Sequence, residues 1–266
     1  MMLFLTSALV GLLRVFAYAA TDMAADSRDS GEMVRIPAGP FVMGSADGAE
    51  DERPQHRLDL AAFAIDRMPV TNGQFARFLN DGVQRGPEKF YDVDDTDARI
   101  HRRAGKWVSD GGFENHPVVE ASWQGALAYC KWTGKRLPTE AEWEKAARGT
   151  DGRRFPWGNE PPDKTRAQFE AGWNETRPVA SFPNGASPYG VLDFAGNAWE
   201  WVSSAYLPYP YDARDGREDL TSPQVRGTRG GGHDSSAEQL TATHRGAHVS
   251  RSFRSGHHNI SFRCAR

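Results

Sequence analysis

Two segments constrain the fold most: Arg136-Leu-Pro-Thr-Glu-Ala-Glu-Trp-Glu-Lys-Ala-Ala-Arg-Gly149 and Tyr189-Gly-Val-Leu-Asp-Phe-Ala-Gly-Asn-Ala-Trp-Glu-Trp201. The first predicts a helix that begins with a capping box. In this box the Thr139 hydroxyl accepts from the amide of Glu142, and the Glu142 carboxylate accepts from the amide of Thr139. The second segment combines glycine, asparagine, glutamate and two tryptophans, which predicts a packed backbone crossing with a buried polar knot.

Both segments belong to a series of short motifs that resembles the formylglycine-generating-enzyme, or sulfatase-modifying factor, family. In chain order the motifs are Ile36-Pro-Ala-Gly-Pro-Phe-Val-Met-Gly44, Pro69-Val-Thr-Asn72, His116-Pro-Val-Val-Glu-Ala-Ser-Trp123, Arg136-Leu-Pro-Thr-Glu140, Phe155-Pro-Trp-Gly-Asn159, Gly196-Asn-Ala-Trp-Glu-Trp201 and Ser261-Phe-Arg-Cys-Ala265. The resemblance implies a loop-rich α+β domain, the formylglycine-generating-enzyme-type variant of the C-type-lectin-like fold. Because one fold hosts many activities, it predicts the scaffold more strongly than the chemistry.

Composition and charge are those of an ordinary globular domain. The chain has 266 residues, 25% of them charged, and a formal net charge of −3. This balance argues against a nucleic-acid-binding surface. The sequence shows no internal repeat and no linker long enough to divide the domain, so we expect one domain over residues 33–266.

The N-terminus is the candidate for an export signal. The apolar run over residues 1–13 is too short to span a bilayer but suits a signal peptide, and Ala17-Tyr-Ala19 is a small-x-small cleavage site. Because Arg14 interrupts the apolar stretch, an uncleaved anchor and a misassigned start codon are the alternatives. We predict a signal peptide over residues 1–20, a disordered lead-in over 21–32, a periplasmic or secreted location, and no transmembrane span in the mature chain.

The two cysteines, Cys130 and Cys264, bear on the same question. In an exported protein two cysteines suggest one disulfide, whereas in a cytosolic protein they are more often buried free thiols. The family resemblance implies that this pair is bridged, because each cysteine stands in a motif that resembles one half of the family's structural disulfide.

Local patterns predict the remaining elements. Alternation predicts a hairpin from residues 34–36 and 40–43 and a strand over 56–65. A helix is predicted after Thr71, which caps it with Gln74 as the third-position partner, and another helix is predicted over residues 122–133. Residues 83–115 show no clear period. The aspartates within residues 92–97 could offer oxygen ligands to calcium, although the spacing is not that of an EF-hand, and a solvated loop is the alternative.

The family's catalytic copper site depends on two cysteines five residues apart. Counting back from Cys264 to the Arg229-Gly-Gly-Gly232 run without a gap puts those two positions at Ser235 and Leu240. Serine and leucine cannot supply the thiolates that a soft copper(I) site needs. The sequence therefore argues against formylglycine-generating activity.

Histidines stand in this region instead, at positions 233, 244, 248, 257 and 258. Because imidazoles with a carboxylate suit iron or copper, we take His233, His244 and His248 as candidate metal ligands. Scattered surface or hydrogen-bonding histidines are the alternative. The candidates for catalytic groups are His233, Asp234, Ser235 and His244, with Ser235 as a nucleophile if a histidine lies within reach.

A structural calcium site is implied by the resemblance of the Gly196–Trp201 motif to the family's calcium-binding segment. Asn197, the Ala198 carbonyl and Glu200 would supply the oxygens that a hard cation prefers. The alternative is a hydrogen-bonded knot without an ion.

Three functions stay open at this point. The first is a metal-dependent oxidoreductase for tailoring or maturation of a peptide or small molecule, similar to the family's periplasmic pyoverdine-maturation type. The second is a non-catalytic, lectin-like module that binds a ligand or a protein. The third is an accessory subunit of an envelope redox system, with an envelope protein as its partner.

Overall fold

The computed structural model describes residues 31–81, 83, 86–246 and 258–266. The predicted signal peptide, most of the predicted lead-in, His248 and His257 lie outside these ranges. Among the helices that the structure describes, none is both long and apolar enough to cross a membrane.

The described ranges contain a four-stranded sheet, three two-stranded sheets and three α-helices. The strands are β1 (Met33–Ile36), β2 (Gly39–Met43), β3 (His56–Leu60), β4 (Phe63–Asp66), β5 (Ile100–Arg103), β6 (Lys106–Ser109), β7 (Trp199–Ala205), β8 (Arg226–Arg229), β9 (Arg245–Gly246) and β10 (Ile260–Phe262). The helices are α1 (Asn72–Asp81), α2 (Trp123–Trp132) and α3 (Glu140–Arg148). The large sheet has the order β10-β7-β8-β9, with β10 parallel to β7.

The caps that the sequence predicts for α1 and α3 are confirmed, and α2 also begins with a side-chain cap. At α3 the Thr139 hydroxyl accepts from the Glu142 amide at 3.1 Å, and the Glu142 carboxylate accepts from the Thr139 amide at 2.9 Å. Thr71 and Gln74 make the same reciprocal pair at α1. Ser122 accepts from the third residue of α2. These bonds satisfy amides that have no partner within the helix.

The predicted hairpin from residues 34–36 and 40–43 is wrong, although both strands exist. β1 pairs with β4, and β2 pairs with β3. The reason lies in the core, because Ile36 of β1 packs with Trp143, whereas Phe41 and Met43 of β2 pack with Tyr209. The predicted strand over 56–65 is accordingly two strands, β3 and β4. The β5–β6 hairpin lies within residues 83–115, where the sequence shows no clear period.

The predicted disulfide is confirmed. It lies in the hydrophobic cluster that contains Phe75, Tyr129 and Phe262. Cys130 of α2 is joined to Cys264, which follows β10, and their Cα atoms are 5.6 Å apart. Phe75 of α1 packs beside this bridge, with its ring 5.8 Å from that of Tyr129 and 6.0 Å from that of Phe262. The bridge therefore ties the end of the chain to the helix pair.

A buried ion network joins α3 to the four-stranded sheet. Arg229 of β8 pairs with Glu140 at 3.1 Å and with Glu144 at 2.5 Å, and Arg245 of β9 pairs with Glu140 at 2.7 Å. Both carboxylates and Arg229 are fully buried, so each charge depends on its partners. The network fixes the end of β8, where the candidate site begins.

Candidate metal centre

A glycine turn leads from β8 into the site. Gly230 and Gly231 have φ values of 99° and 75°, a region that residues with a side chain rarely adopt. A Cβ atom on Gly230 would lie 2.8 Å from the carbonyl oxygen of Phe194. The turn therefore needs glycine, and it carries the chain to His233.

His233 presents an unpaired nitrogen within the protein. The residue is 0% exposed, and its ring Nδ1 lies 3.1 Å from the carbonyl oxygen of Asn197. Because a carbonyl oxygen only accepts, we assign the proton to Nδ1. Burial lowers the pKa of His233 and favours the neutral ring. Nε2 then carries the lone pair, and it has no hydrogen-bond partner among the described residues.

Asp234 and His258 lie beside this nitrogen. The two side chains approach to 3.3 Å between a carboxylate oxygen of Asp234 and Nε2 of His258. The Asn259 amide donates to both Asp234 oxygens at 3.1 Å. The hydrogen bond with His258, and then the one from Asn259, hold the pKa of Asp234 well below its usual range. Asp234 is therefore an ionised ligand candidate.

An exposed tryptophan forms one side of the site. Trp173 is 68% exposed, and its ring stacks on that of His258 with 3.7 Å between centroids. The indole nitrogen donates to Asp97 at 2.8 Å. Because both contacts hold the ring in place, Trp173 offers a fixed aromatic surface next to the histidines.

The three side chains can bind one metal ion. One ligand atom each from His233, Asp234 and His258 lies within 4.8 Å of the other two. Two imidazoles and a carboxylate suit iron(II), with copper, nickel and zinc as other possibilities. The unpaired Nε2 of His233 and the ionised Asp234 both fit this role.

The other predicted histidine ligands are not part of this group. His244 lies near Glu52, with 3.3 Å between Nδ1 and a carboxylate oxygen. His248 lies outside the described residues. The Ser235 hydroxyl accepts from the amide of Gly232 at 2.9 Å, and within the described part of the chain no hydrogen bond joins it to a histidine. The structure thus gathers His233 and Asp234 from the predicted set and adds His258.

The predicted calcium ligands are engaged with other groups. The Asn197 side chain accepts from the amide of Arg177 and donates to its carbonyl. Both carboxylate oxygens of Glu200 accept from Arg263, at 2.7 and 2.6 Å, and one also accepts from the Trp143 indole. Ala198 is buried between them. These contacts favour the hydrogen-bonded knot, and calcium at this position stays a prediction.

Sequence reasoning did not select His258 as a ligand and did not identify Trp173. His258 stands 24 residues after Asp234, and no metal-binding motif has that spacing. The two meet because the Asn259 carbonyl accepts from the Trp199 amide where β10 joins β7. For Trp173, the only indication in the sequence was that a large aromatic residue stands among polar residues in a predicted loop.

Comparison with known proteins identifies relatives over nearly the whole chain. A family model described as a sulfatase-modifying factor enzyme 1-like domain matches residues 19–266. The chain is 36% identical over 293 residues to the formylglycine-generating enzyme of Streptomyces coelicolor, an alignment that covers 91% of both proteins. It is 34% identical over 229 residues to the hercynine oxygenase of Mycolicibacterium smegmatis, covering 76% of this chain and 52% of that protein.

A longer relative shares only this region. The chain is 42% identical over 222 residues to the serine/threonine-protein kinase pkn1 of Chlamydia caviae, covering 80% of this chain and 35% of the kinase. This chain therefore spans about a third of the length of the kinase relatives that it matches.

Among solved structures, PvdO from Pseudomonas aeruginosa is similar in fold. It has a TM-score of 0.69 and 29% identity, with 89% of this chain and 94% of that chain covered. Together with the family match, this confirms the predicted α+β fold of the formylglycine-generating-enzyme type.

Proposed function

Because this chain belongs to the family of sulfatase-modifying factor enzyme 1-like domains, we propose that it is an oxidative tailoring or maturation factor. It binds iron or copper through His233, Asp234 and His258, and it acts on a small molecule or a peptide. The observation that carries this proposal is the buried, unpaired Nε2 of His233 beside an ionised carboxylate and a second imidazole. A metal ion at this point would offset the cost of burying an unsatisfied polar atom, roughly 1–3 kcal/mol.

Formylglycine generation is not the activity that we propose. The chain's two cysteines are joined to each other in the disulfide, so neither offers a thiolate to copper. The two positions that the family resemblance assigns to copper ligands hold Ser235 and Leu240, and Leu240 is buried in an apolar cluster. Histidine and carboxylate ligands suit a different metal site from a pair of thiolates.

The relatives support oxidation as the reaction class. One of them carries the name hercynine oxygenase, although this chain spans 52% of its length. In its simplest balanced form, the proposed reaction removes two electrons and two protons from the substrate. Dioxygen accepts these two electrons and two protons and is reduced to hydrogen peroxide. The exposed surface of Trp173 that His258 does not cover would bind a planar part of the substrate at the edge of the site.

We also propose that the protein is exported. The predicted signal peptide and the disulfide both support this location, because disulfides persist in oxidising compartments. Fractionation of cells that express the full chain tests the location, and a protein found entirely in the cytosol would contradict it.

Metal binding tests the proposed function. Purified protein is loaded anaerobically with iron(II), its iron content is measured, and nitric oxide is added so that bound iron gives an electron paramagnetic resonance signal. We expect about one iron per chain, and affinity that falls roughly 10-fold or more in His233→Ala and in His258→Ala. His101→Ala is the matched control, because His101 is partly exposed, pairs with Asp110 at 3.0 Å and is not one of the three ligands.

Two results would overturn the proposal. One is a wild-type protein that binds neither iron(II) nor copper. The other is unchanged metal affinity in both site variants. Either result would favour the non-catalytic binding module, in which the histidines serve only to hold the loop.

A further inference from the structure

A second group of side chains lies in the acidic loop over residues 92–97, and we propose that it is a calcium site formed by Asp92, Asp95 and Glu120. One carboxylate oxygen from each lies within 4.8 Å of the other two. These residues are distinct from the histidine site and from the predicted calcium ligands at residues 197–200. The proposal does not depend on the proposed oxidative function.

Backbone pairing brings these residues together. Tyr91 and Ala121 form an antiparallel bridge, and the Asp92 amide donates to the Glu120 carbonyl at 3.0 Å. Within the loop, the Asp97 amide donates to a carboxylate oxygen of Asp95 at 2.8 Å. The three carboxylates are thus held by fixed backbone rather than by chance proximity on a solvated surface.

The buried carboxylate of Glu120 indicates that the group binds a cation. The residue is 2% exposed, and its carboxylate makes no hydrogen bond and no ion pair with the described residues. The charged groups that act on it electrostatically are aspartates: Asp95, Asp92 and Asp97. A buried charge needs a partner, and a group of like charges needs one more strongly. A cation between the carboxylates would satisfy Glu120 and offset the repulsion.

The chemistry of the donors selects the cation. All three ligands are carboxylates, and calcium takes six to eight oxygen ligands in flexible geometry, with carboxylates in one- or two-oxygen contact. Magnesium demands a stricter octahedron and retains more of its water. We therefore assign the site to Ca²⁺, with water or main-chain oxygens as its other ligands.

The same loop supports the exposed tryptophan of the histidine site. Asp97 accepts from the Trp173 indole at 2.8 Å and from the Asn174 side chain at 3.1 Å. Trp173 in turn stacks on His258. A calcium ion that orders residues 92–97 would thereby fix the position of Trp173 without touching it.

Calcium titration of the full chain tests the site. We expect isothermal titration calorimetry with CaCl₂ to show one fewer bound Ca²⁺ per chain in Glu120→Gln than in the wild type. Asp94→Asn is the matched control, since Asp94 lies in the same loop, is exposed and is not in the cluster. It should bind calcium as the wild type does. Equal stoichiometry and affinity in wild type and Glu120→Gln would overturn the assignment, as would a wild type that binds no calcium.

Thermal unfolding distinguishes loss of the site from loss of the fold. In EDTA, Glu120→Gln should unfold at the same temperature as the wild type or higher, because a neutral amide of nearly the same shape replaces a carboxyl group that faces other carboxylates. Added calcium should raise the midpoint of the wild type and of Asp94→Asn but not that of Glu120→Gln. If Glu120→Gln unfolds early in EDTA, Asp92→Asn replaces it, and calcium stabilisation of Asp92→Asn equal to that of the wild type would contradict the site.

Discussion

At the scale of single residues, Asn197 aims the histidine of the candidate site. Its backbone has a φ of 65°, which asparagine tolerates better than most residues. Its carbonyl accepts from both the amide and the ring Nδ1 of His233, each at 3.1 Å. Its side chain binds the amide and the carbonyl of Arg177. One residue thus sets both the backbone and the ring of His233.

Asn197→Ala should therefore weaken both stability and metal binding. It removes two part-buried hydrogen bonds to Arg177, each worth about 0.5–1.5 kcal/mol, and it adds roughly 1–2 kcal/mol of backbone strain. Asn197→Gly removes the same hydrogen bonds without the strain. Its free energy of unfolding in urea should therefore lie between those of the wild type and Asn197→Ala. If metal affinity and the shape of the iron–nitric oxide signal stay unchanged in Asn197→Ala, the positioning role is refuted.

Asp193 gives a prediction for pH dependence. Burial raises its pKa from 3.8 to about 6. Since the folded state holds the proton more tightly, the stability from this group is full below pH 3.8 and is lost as the pH rises through about 6. A shift of two pKa units corresponds to about 3 kcal/mol.

Asp193→Asn keeps an oxygen that can accept from the Ala180 amide, as the carboxylate does at 2.7 Å. We expect the variant to gain up to about 3 kcal/mol over the wild type at pH 8 and little at pH 4. Urea denaturation at both pH values measures this difference. A difference that does not vary with pH would contradict the assignment of the charge to Asp193.

At the scale of elements, α3 anchors the strand that leads to the site. Its buried carboxylates, Glu140 and Glu144, pair with Arg229 at the end of β8. The glycine turn and His233 follow directly. The start of α3 therefore matters for the site, although Thr139 itself bonds to Glu142 and, within the described ranges, makes no hydrogen bond to the metal ligands.

Thr139→Ala tests how much the cap stabilises α3. Loss of the cap should reduce the free energy of unfolding by about 0.5–2 kcal/mol, whereas Thr139→Ser retains the hydroxyl acceptor and should lose much less. Chemical denaturation compares the three proteins. Equal losses in Thr139→Ala and Thr139→Ser would show that the hydroxyl acceptor is not what stabilises the helix.

At the scale of the whole molecule, the disulfide ties distant parts of the chain. Cys130 and Cys264 are separated by 134 residues, so their bond constrains a long loop in the unfolded state. Chain-entropy estimates put this constraint at roughly 4–5 kcal/mol. The disulfide thus stabilises the folded protein mainly by restricting the unfolded chain, and not through the local contacts of the two cysteines.

The Cys130→Ala, Cys264→Ala double variant should lose most of that stability. We expect urea denaturation to give a free energy of unfolding lower by about 4–5 kcal/mol, and a reducing agent should have no further effect on the variant. Reduction of the wild type should lower its stability in the same direction. A wild type whose unfolding is insensitive to complete reduction would contradict this prediction.

Local chemistry was readable from the sequence, but long-range pairing was not. The caps at Thr139 and Thr71 follow from residues three positions apart, and the disulfide follows from the family resemblance. The pairing of β1 with β4 could not be predicted, because alternating residues indicate a strand but not the strand with which it pairs. The same limit applies to the site, where His258 joins Asp234 only through the parallel pairing of β10 with β7.

The most direct test of the central claim is X-ray absorption at the iron edge of the iron(II)-loaded protein. We expect outer-shell scattering from two imidazole rings in the wild type and from one in His258→Ala, with nitrogen and oxygen as the nearest neighbours of the iron. A spectrum without imidazole scattering in the wild type, or one that does not change in His258→Ala, would contradict a metal site formed by His233, Asp234 and His258.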